Sequence, residues 1–304
     1  MQIMSSTSHS KVSISLVVAT VGRVHELDRM LTSMATQSWL NFELIIVDQN
    51  TDERVEQLLA SKQLPIECIY VRSTLGASKS RNIGINIARG DVIGFPDDDC
   101  WYPPDLLAQV MAWFDHNSQH DFLCCRAQDE NGNPVASRWP RYSIAITRAS
   151  VLRACACSAL FMRRHAAIQA DGFDETMGPG PQTIVKSAEE IDFVLRMMER
   201  AKSGWFDKDL YIYHPHKEVG SVSSERAYIY GVGFGFLLRK HHYPVHILGY
   251  HVVRPLAGMM RALFSASPQE MLFYWKSALG RLTGYLGPLS SKSNRPVVDN
   301  LSSH

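Results

Sequence analysis

The sequence predicts an α/β fold built on a mostly parallel central sheet, followed by a C-terminal helical extension. Three observations carry this expectation. Short β-branched runs alternate with helical patterns through the first half of the chain. Polar and acidic residues cluster just after those runs. Beyond about residue 219 the composition changes to long apolar and basic stretches without strand patterning.

Strands are expected at residues 13–19, 42–47, 66–71 and 91–95. Between them, residues 24–36 carry Val24, Leu27, Met30, Leu31 and Met34 at helical spacing, and residues 77–88 do the same with Ile83, Ile85 and Ile87. Each strand feeds a helix, which is the rhythm of βαβ units, and in such sheets ligands gather outside the carboxyl ends of the strands. Further along, residues 158–163 read as a strand. Residues 187–200 read as a helix with Ile191, Val194, Leu195 and Met198 on one side, and residues 210–213 as a last strand before His214, Pro215 and His216.

A chain of 304 residues with 45% apolar content has room for one α/β core and an appendage. Residues 1–11 read as a disordered N-terminus, 12–219 as the catalytic domain, 220–289 as the helical extension and 290–304, rich in Ser, Asn and Pro, as a disordered tail. A net charge of +1 from 31 basic and 30 acidic residues excludes a global attraction for nucleic acid. The cysteines, Cys68, Cys100, Cys124, Cys125, Cys155 and Cys157, sit mostly in apolar runs without metal-ligand spacing, so core packing in a reducing cytosol is expected. The first ten residues lack the apolar core of a secretory leader, and no uninterrupted apolar stretch reaches about 18 residues.

The strand ends read Thr20-Val21-Gly22-Arg23, Asp48-Gln49-Asn50, residues 72–76, and Pro96-Asp97-Asp98-Asp99. No G-x-G-x-x-G follows the first strand and no P-loop occurs, which argues against dinucleotide dehydrogenases and P-loop NTPases. Three successive aspartates are costly to crowd together unless a positive charge sits among them. Hard oxygen ligands favour Mg²⁺ or Mn²⁺ bridging to phosphates. The competing reading is an Asp-rich turn capping a helix expected from Pro103, although capping needs one aspartate and not three.

Gly76-Ala77-Ser78-Lys79-Ser80-Arg81-Asn82-Ile83-Gly84, then Arg89-Gly90-Asp91 and Pro96-Asp97-Asp98-Asp99, taken with the first two strand ends, resemble the family 2 glycosyltransferases over residues 12–219. The resemblance implies the GT-A fold of nucleotide-diphospho-sugar transferases and a metal-dependent transfer of a sugar from a nucleotide-sugar donor, expected to be a UDP-sugar. It implies a base pocket lined by Ala19 and Thr20, with Asp48 accepting the uracil imide N–H. It further implies Asp97 on the ribose, Asp98 beside it, Asp99 on the metal, and Arg81 and more weakly Arg23 near the base or phosphates. His214 or His216 is the expected histidine contact to metal or phosphate.

Inverting transfer needs a carboxylate to take the acceptor proton. In the resembling family this is the last acidic residue of an E-D pair opening a helix after a G-F-D-E turn. Here Gly172-Phe173-Asp174-Glu175 is followed by Ser187-Ala188-Glu189-Glu190, so Glu190 takes that place with Glu189 as the understudy and Asp192 as a secondary polar contact. Ser187 and Glu190 also have the spacing of a capping box, which leaves a purely structural role open. Residues 176–186, rich in Gly and Pro, suit a mobile acceptor loop.

Between Arg226 and Gln269 there is no Asp or Glu, while Arg239, Lys240, Arg254 and Arg261 interleave with Tyr228, Phe234, Ile247, Tyr250, Met259 and Phe264. Amphipathic helices on an anionic membrane surface are expected, against the alternative of a helical cap on the core. Gly231, Gly233 and Gly235 suggest close helix contact. Together these features imply a peripheral enzyme on the inner face of the cytoplasmic membrane, acting on a glycan or lipid-linked acceptor. A sugar nucleotidyltransferase and a non-catalytic nucleotide-sugar-binding protein are the rival readings.

Overall fold

The computed structural model of the protein describes residues 2–4, 12–135, 139–181, 183, 185–200, 202–215 and 223–287. The chain divides into two compact units. The first comprises Met1–Asp174 with Glu190–His216, and the second Glu175–Glu189 with Lys217–His304. The segment 175–189, which the sequence grouped with the α/β domain, thus goes with the helices. His216 and the 290–304 tail lie outside the described residues.

The first unit runs β1 (Gln2–Met4), β2 (Ile14–Thr20), α1 (His25–Ala35), β3 (Phe42–Asp48), α2 (Arg54–Ala60), β4 (Glu67–Arg72), α3 (Ala77–Ile87) and β5 (Val92–Gly94). It continues with α4 (Leu106–His116), β6 (Phe122–Gln128), β7 (Ile144–Ala145), α5 (Val151–Ala154), β8 (Leu160–Arg163), α6 (Arg164–Gln169), α7 (Glu189–Glu199) and β9 (Gly204–Tyr213). The strands form one sheet in the order β1-β4-β3-β2-β5-β8-β6-β9-β7. Its β4-β3-β2-β5 half is parallel, as the βαβ rhythm predicts. The other half is mixed, because β8 runs antiparallel to both β5 and β6 while β6 and β9 are parallel.

Every residue of β3 is buried, the mark of a strand covered on both faces. Strand β6 escaped the sequence reading because its Phe-Leu-Cys-Cys run has no alternation, and the start of β9 at Gly204 rather than residue 210 escaped it because Asp207, Lys208 and Asp209 mask the pattern. Within the segment 1–11, expected to be disordered, Gln2–Met4 add antiparallel to β4. That strand would otherwise be an edge with unpaired backbone groups, which favours such an addition. The rest of that segment lies outside the described residues.

Register sets the site. Thr20 pairs with Asp48 and Asp48 with Arg72, so three strand ends stand side by side. Strand β5 is short and releases the chain so that Asp98 comes level with Thr20, whose hydroxyl donates to it at 2.8 Å. At the opposite end of the sheet Glu43 is fully buried and accepts from Ser15 Oγ, the Arg89 backbone N–H and Arg89 Nε at 2.5–2.7 Å. Arg89-Gly90, read first as part of a functional signature, is therefore a structural anchor of the turn into β5.

The second unit contains α8 (Ser224–Lys240), α9 (Val245–Phe264) and α10 (Pro268–Leu286). The glycines of α8 and α10 let the two backbones meet: a Cβ on Gly280 would lie 2.3 Å from the Tyr228 carbonyl, and one on Gly284 2.0 Å from that of Val232. The segment 175–189 is held to α8, since a Cβ on Gly233 would fall 2.0 Å from Ser187 Oγ and Lys240 Nζ approaches Met177 Sδ at 3.6 Å. The expected mobile loop is cross-tied within itself by Gly178 N–H to the Val185 carbonyl at 2.9 Å and Thr183 Oγ to the Gly180 carbonyl at 2.8 Å.

Helix α3 seats on β2 through Gly84, where an added Cβ would lie 2.1 Å from Val17 Cγ1. Helix propensity alone would make Gly84→Ala stabilising by roughly 0.5–1 kcal/mol. Overpacking against β2 outweighs this, and the variant is expected to lose about 1–3 kcal/mol in urea unfolding. A gain in stability would show that α3 is not seated as described.

Candidate active site

The carboxyl ends of β2, β3 and β4 are bound into one network. Asp48 has no exposed surface. Its Oδ1 accepts from the Asn50 backbone N–H at 2.8 Å and Asn50 Nδ2 at 2.7 Å, and its Oδ2 from the Tyr70 hydroxyl at 2.9 Å. Burial first, then the bond to Asp48, pushes the Tyr70 phenol above its ordinary range, which keeps it a donor. Three of about four acceptor positions on the carboxylate are thus taken, leaving one for a further donor. Asn50 Oδ1 accepts from Gly22 N–H at 2.8 Å, and Gln49 Oε1 from Gly76 N–H at 2.7 Å. Ala19 is half-buried beside this network.

The aspartates after β5 do three different things. Asp98 is buried; it accepts from Thr20 and, at 2.7 Å, from Arg23. Burial pushes its carboxyl up, while Arg23 and Thr20 oppose the rise. Asp99 is buried and also meets Arg23, at 2.7 Å. Burial works to lower the Arg23 guanidinium, but Asp98 and Asp99 together raise it. Asp97 is half-buried and pairs with Arg81 at 3.2 Å. The capping alternative is not what forms, because α4 starts at Leu106 behind Asp105.

His214 reaches this cluster through a backbone bridge. Trp101 and Tyr213 exchange both backbone hydrogen bonds, at 3.0 and 2.8 Å, and their rings stack at 5.6 Å. Arg29 covers Trp101 with its Cζ 3.7 Å from the ring centre. This sandwich fixes the chain on either side, so His214 Nε2 lies 3.5 Å from Asp99 Oδ1. Asp97, Asp99 and His214 present ligand atoms within 4.8 Å of one another. His214 Nδ1 lies 3.0 Å from the Pro215 carbonyl, which can only accept. The proton therefore belongs on Nδ1, leaving the Nε2 lone pair toward the carboxylates. Two carboxylates and an imidazole so disposed fit a divalent cation, with the histidine favouring Mn²⁺ over Mg²⁺.

The Arg81-Asn82-Ile83-Gly84 stretch has a structural reading as well. The Asn82 side chain clasps Phe173, donating to its carbonyl at 2.9 Å and accepting from its N–H at 2.8 Å. Arg81 Cζ lies 5.4 Å from the Phe173 ring centre. Phe173 packs against Phe95 at 5.1 Å and Phe193 at 4.6 Å, which ties the strand before the aspartates to α7. Asp192, read first as a secondary site contact, is fully buried and holds Arg196 at 2.9 Å, while Arg196 bonds the carbonyls of Ala170 and Gly172. Its role is to brace the turn.

Helix α7 begins at Glu189, after Ala188 at φ 68°. The Ser187 hydroxyl is buried and has no hydrogen-bond partner among the described residues, so the capping box does not form. Glu190 is half-buried, and its charge is among the groups that push the Cys155 thiol up, after a bond from Cys124 and burial. Glu189 is buried. Sequence reasoning missed Tyr70, Gln49, Arg29, Trp101 and Tyr213. Gln49 and Asn50 stood in a quoted strand end, but nothing local marks the Trp101–Tyr213 bridge.

The description "Glycosyl transferase family 2" matches residues 15–169, just over half of the chain. The chain belongs to that family. The matched span holds Asp48, Arg81 and the three aspartates and ends before Glu189, Glu190 and His214. An uncharacterized glycosyltransferase of Haemophilus influenzae is 29% identical over 192 residues, covering 61% of this chain and 62% of that protein. The amylovoran biosynthesis glycosyltransferase AmsB of Erwinia amylovora is 29% identical over 106 residues, 33% of this chain and 35% of its own length. The chain thus spans less than two thirds of these relatives.

Among solved structures, S. aureus TarS residues 1–349 superposes with a TM-score of 0.57 at 15% identity, over 89% of this chain and 90% of that one. The same TarS segment in complex with UDP gives 0.57 at 17% identity, over 89% and 90% of the two chains. In complex with UDP-GlcNAc it gives 0.56 at 16%, over 89% and 91%. The family 2 glycosyltransferase chain thereby has the GT-A fold that the resemblance implied.

Mn²⁺ binding, followed by calorimetry, is expected to weaken in Asp99→Asn and His214→Ala by at least the roughly tenfold that even outer-shell changes cost. Unchanged affinity in both would place the cation elsewhere.

Proposed function

We propose that the chain is an inverting glycosyltransferase that moves one sugar from a nucleoside-diphosphate sugar, most simply a UDP-sugar, to an acceptor hydroxyl. The observation that carries the reading is the convergence of Asp97, Asp99 and His214 next to Asp98, which is bonded to Thr20 at the end of β2. The family membership supports it, as do the complexes of TarS with UDP and UDP-GlcNAc. The role of AmsB in amylovoran biosynthesis supports cell-surface polysaccharide or lipid-linked glycan synthesis as the setting.

In this reading Asp48, locked by Asn50 and Tyr70, offers its remaining acceptor position to the base of the donor, between Ala19 and Thr20. Asp97, Asp99 and His214 would hold Mn²⁺ or Mg²⁺, which supplies positive charge to the leaving diphosphate. Asp98 anchors Thr20 and Arg23, and Arg23 and Arg81 bring guanidinium groups to the phosphate side. Glu190 takes the acceptor proton as the acceptor oxygen bonds to the anomeric carbon. The bond from that carbon to the diphosphate breaks, and its electron pair leaves with the nucleoside diphosphate. Glu189 stands second as base.

A binding screen of UDP-, GDP- and dTDP-sugars with and without Mn²⁺ tests the donor. With the donor identified, Glu190→Gln is expected to lower kcat by about 10²–10⁴ while leaving donor KM near wild type. Turnover retained in both Glu190→Gln and Glu189→Gln would remove the proposed base.

The second unit is read as the part that meets a membrane. Val245, Tyr250, Val253, Met260, Leu263 and Phe264 of α9 are exposed, with Phe264 at 86%, and they alternate with exposed Arg254 and Arg261. Among the described residues no helix is long and apolar enough to cross a membrane. The exposed apolar and basic side chains of α9 support a peripheral contact, read as on the inner face of the cytoplasmic membrane. Flotation with vesicles containing phosphatidylglycerol is expected to carry the protein up, and Val253→Asp with Phe264→Asp to leave it at the bottom. Equal flotation of wild type and variant would refute membrane docking by α9.

A further inference from the structure

Among the described residues of the helical unit, two arginines and a histidine come together with no carboxylate paired to them. Arg281 of α10 points to the region shared with α8 and α9: its Cζ lies 5.5 Å from the Phe234 ring centre on α8, and that ring is 4.6 Å from the His251 ring on α9. One Nη donates to Ser277 Oγ at 2.6 Å and to the Ser277 carbonyl at 3.2 Å. The Nε is buried and has no hydrogen-bond partner among the described residues. Arg254 stands three positions after His251 on the same side of α9, and it is exposed.

None of these three side chains meets a carboxylate among the described residues; His251 and Arg281 instead both feel the charge of Arg254. Burial, then Arg281 and Arg254, pushes the His251 imidazole down to about 4, and burial, then Arg254, pushes Arg281 down to about 10. Ser277 satisfies one nitrogen of the guanidinium without neutralising it. A buried arginine left with like charges for neighbours weakens the fold unless an anion joins it.

We propose that Arg281, with Arg254 and His251 beside it, forms an anion site in the helical unit that takes a phosphate group. The free edge of a guanidinium matches two phosphate oxygens, and Arg254 offers a second cation from the solvent side. Phosphate rather than carboxylate fits two arginines, because it carries more charge and more acceptor oxygens. The group has two sources, a soluble phosphate or pyrophosphate and the headgroup of a phospholipid. The lipid is within reach because Tyr250, in ring contact with His251 at 5.1 Å, and Val253, beside Arg254, are both exposed. The site stands apart from the sugar-transfer reading.

The test uses the full chain with EDTA present, so that the aspartate cluster of the first unit gathers no pyrophosphate through a cation. Thermal unfolding is followed as inorganic pyrophosphate is added, and flotation is measured on phosphatidylcholine vesicles with and without phosphatidic acid. Pyrophosphate is expected to raise the Tm of the wild type. Arg281→Met is expected to fold with a ligand-free Tm at or above wild type and to lose the rise. Arg254→Gln should weaken binding about tenfold, the value of one charge-assisted contact.

Loss of the pyrophosphate response alone assigns a soluble phosphate, and loss of the gain from phosphatidic acid assigns the lipid headgroup. If Arg281→Met lowers Tm yet keeps both responses, the arginine is structural and the proposal falls. Should that variant not fold, unchanged binding of both probes by Arg254→Gln overturns it equally.

Discussion

Repulsion among Asp97, Asp98 and Asp99 is the constraint around which the first unit is arranged. Three carboxylates in succession, two of them buried, require positive partners, and the fold supplies these from separate elements, Arg23 after β2 and Arg81 from α3, while the end of β9 brings the His214 imidazole beside Asp99. Each partner also fixes the element it comes from. The loop after β2 is held to the loop after β5, and α3 is held to the same loop by Asp97. A cluster that would be unfavourable in isolation thereby becomes the point where the sheet's ends are registered.

The parallel half of the sheet was legible because its strands are single apolar runs followed by helices with clear periodicity. Asp48 and the three aspartates were legible because strand ends are where such sheets place chemistry. The mixed half was not. Strand β6 is an unbroken buried run, β9 carries Asp207, Lys208 and Asp209 in its middle, and both depend on pairing across more than 75 residues of chain, as at Phe122 and Gly204. The partner of Asp48, Tyr70, lies 22 residues away, and its hydroxyl carries no pattern of its own.

Two motifs changed meaning once side chains were seen. Arg89-Gly90 locks a turn through Glu43 at the far end of the sheet, and Asn82 holds the backbone of Phe173. Asp192 and Arg196 support the same turn. These residues act by orienting the aromatic group of Phe95, Phe173 and Phe193, which links the strand before the aspartates to the helix that opens with Glu189 and Glu190. Binding residues and bracing residues share the same short motifs, and sequence spacing does not separate them.

In the second unit the seam between α8 and α10 is made of backbone against backbone at Gly231, Gly235, Gly280 and Gly284. A surface without side chains has nothing to trade: no methyl can be added there without parting the helices, and none is present to remove. Evolutionary change in this unit is therefore channelled outward, to the faces of α9 and α10 that the seam leaves free. Relatives that share the scaffold can diversify in what those faces touch while the way the helices are joined stays the same.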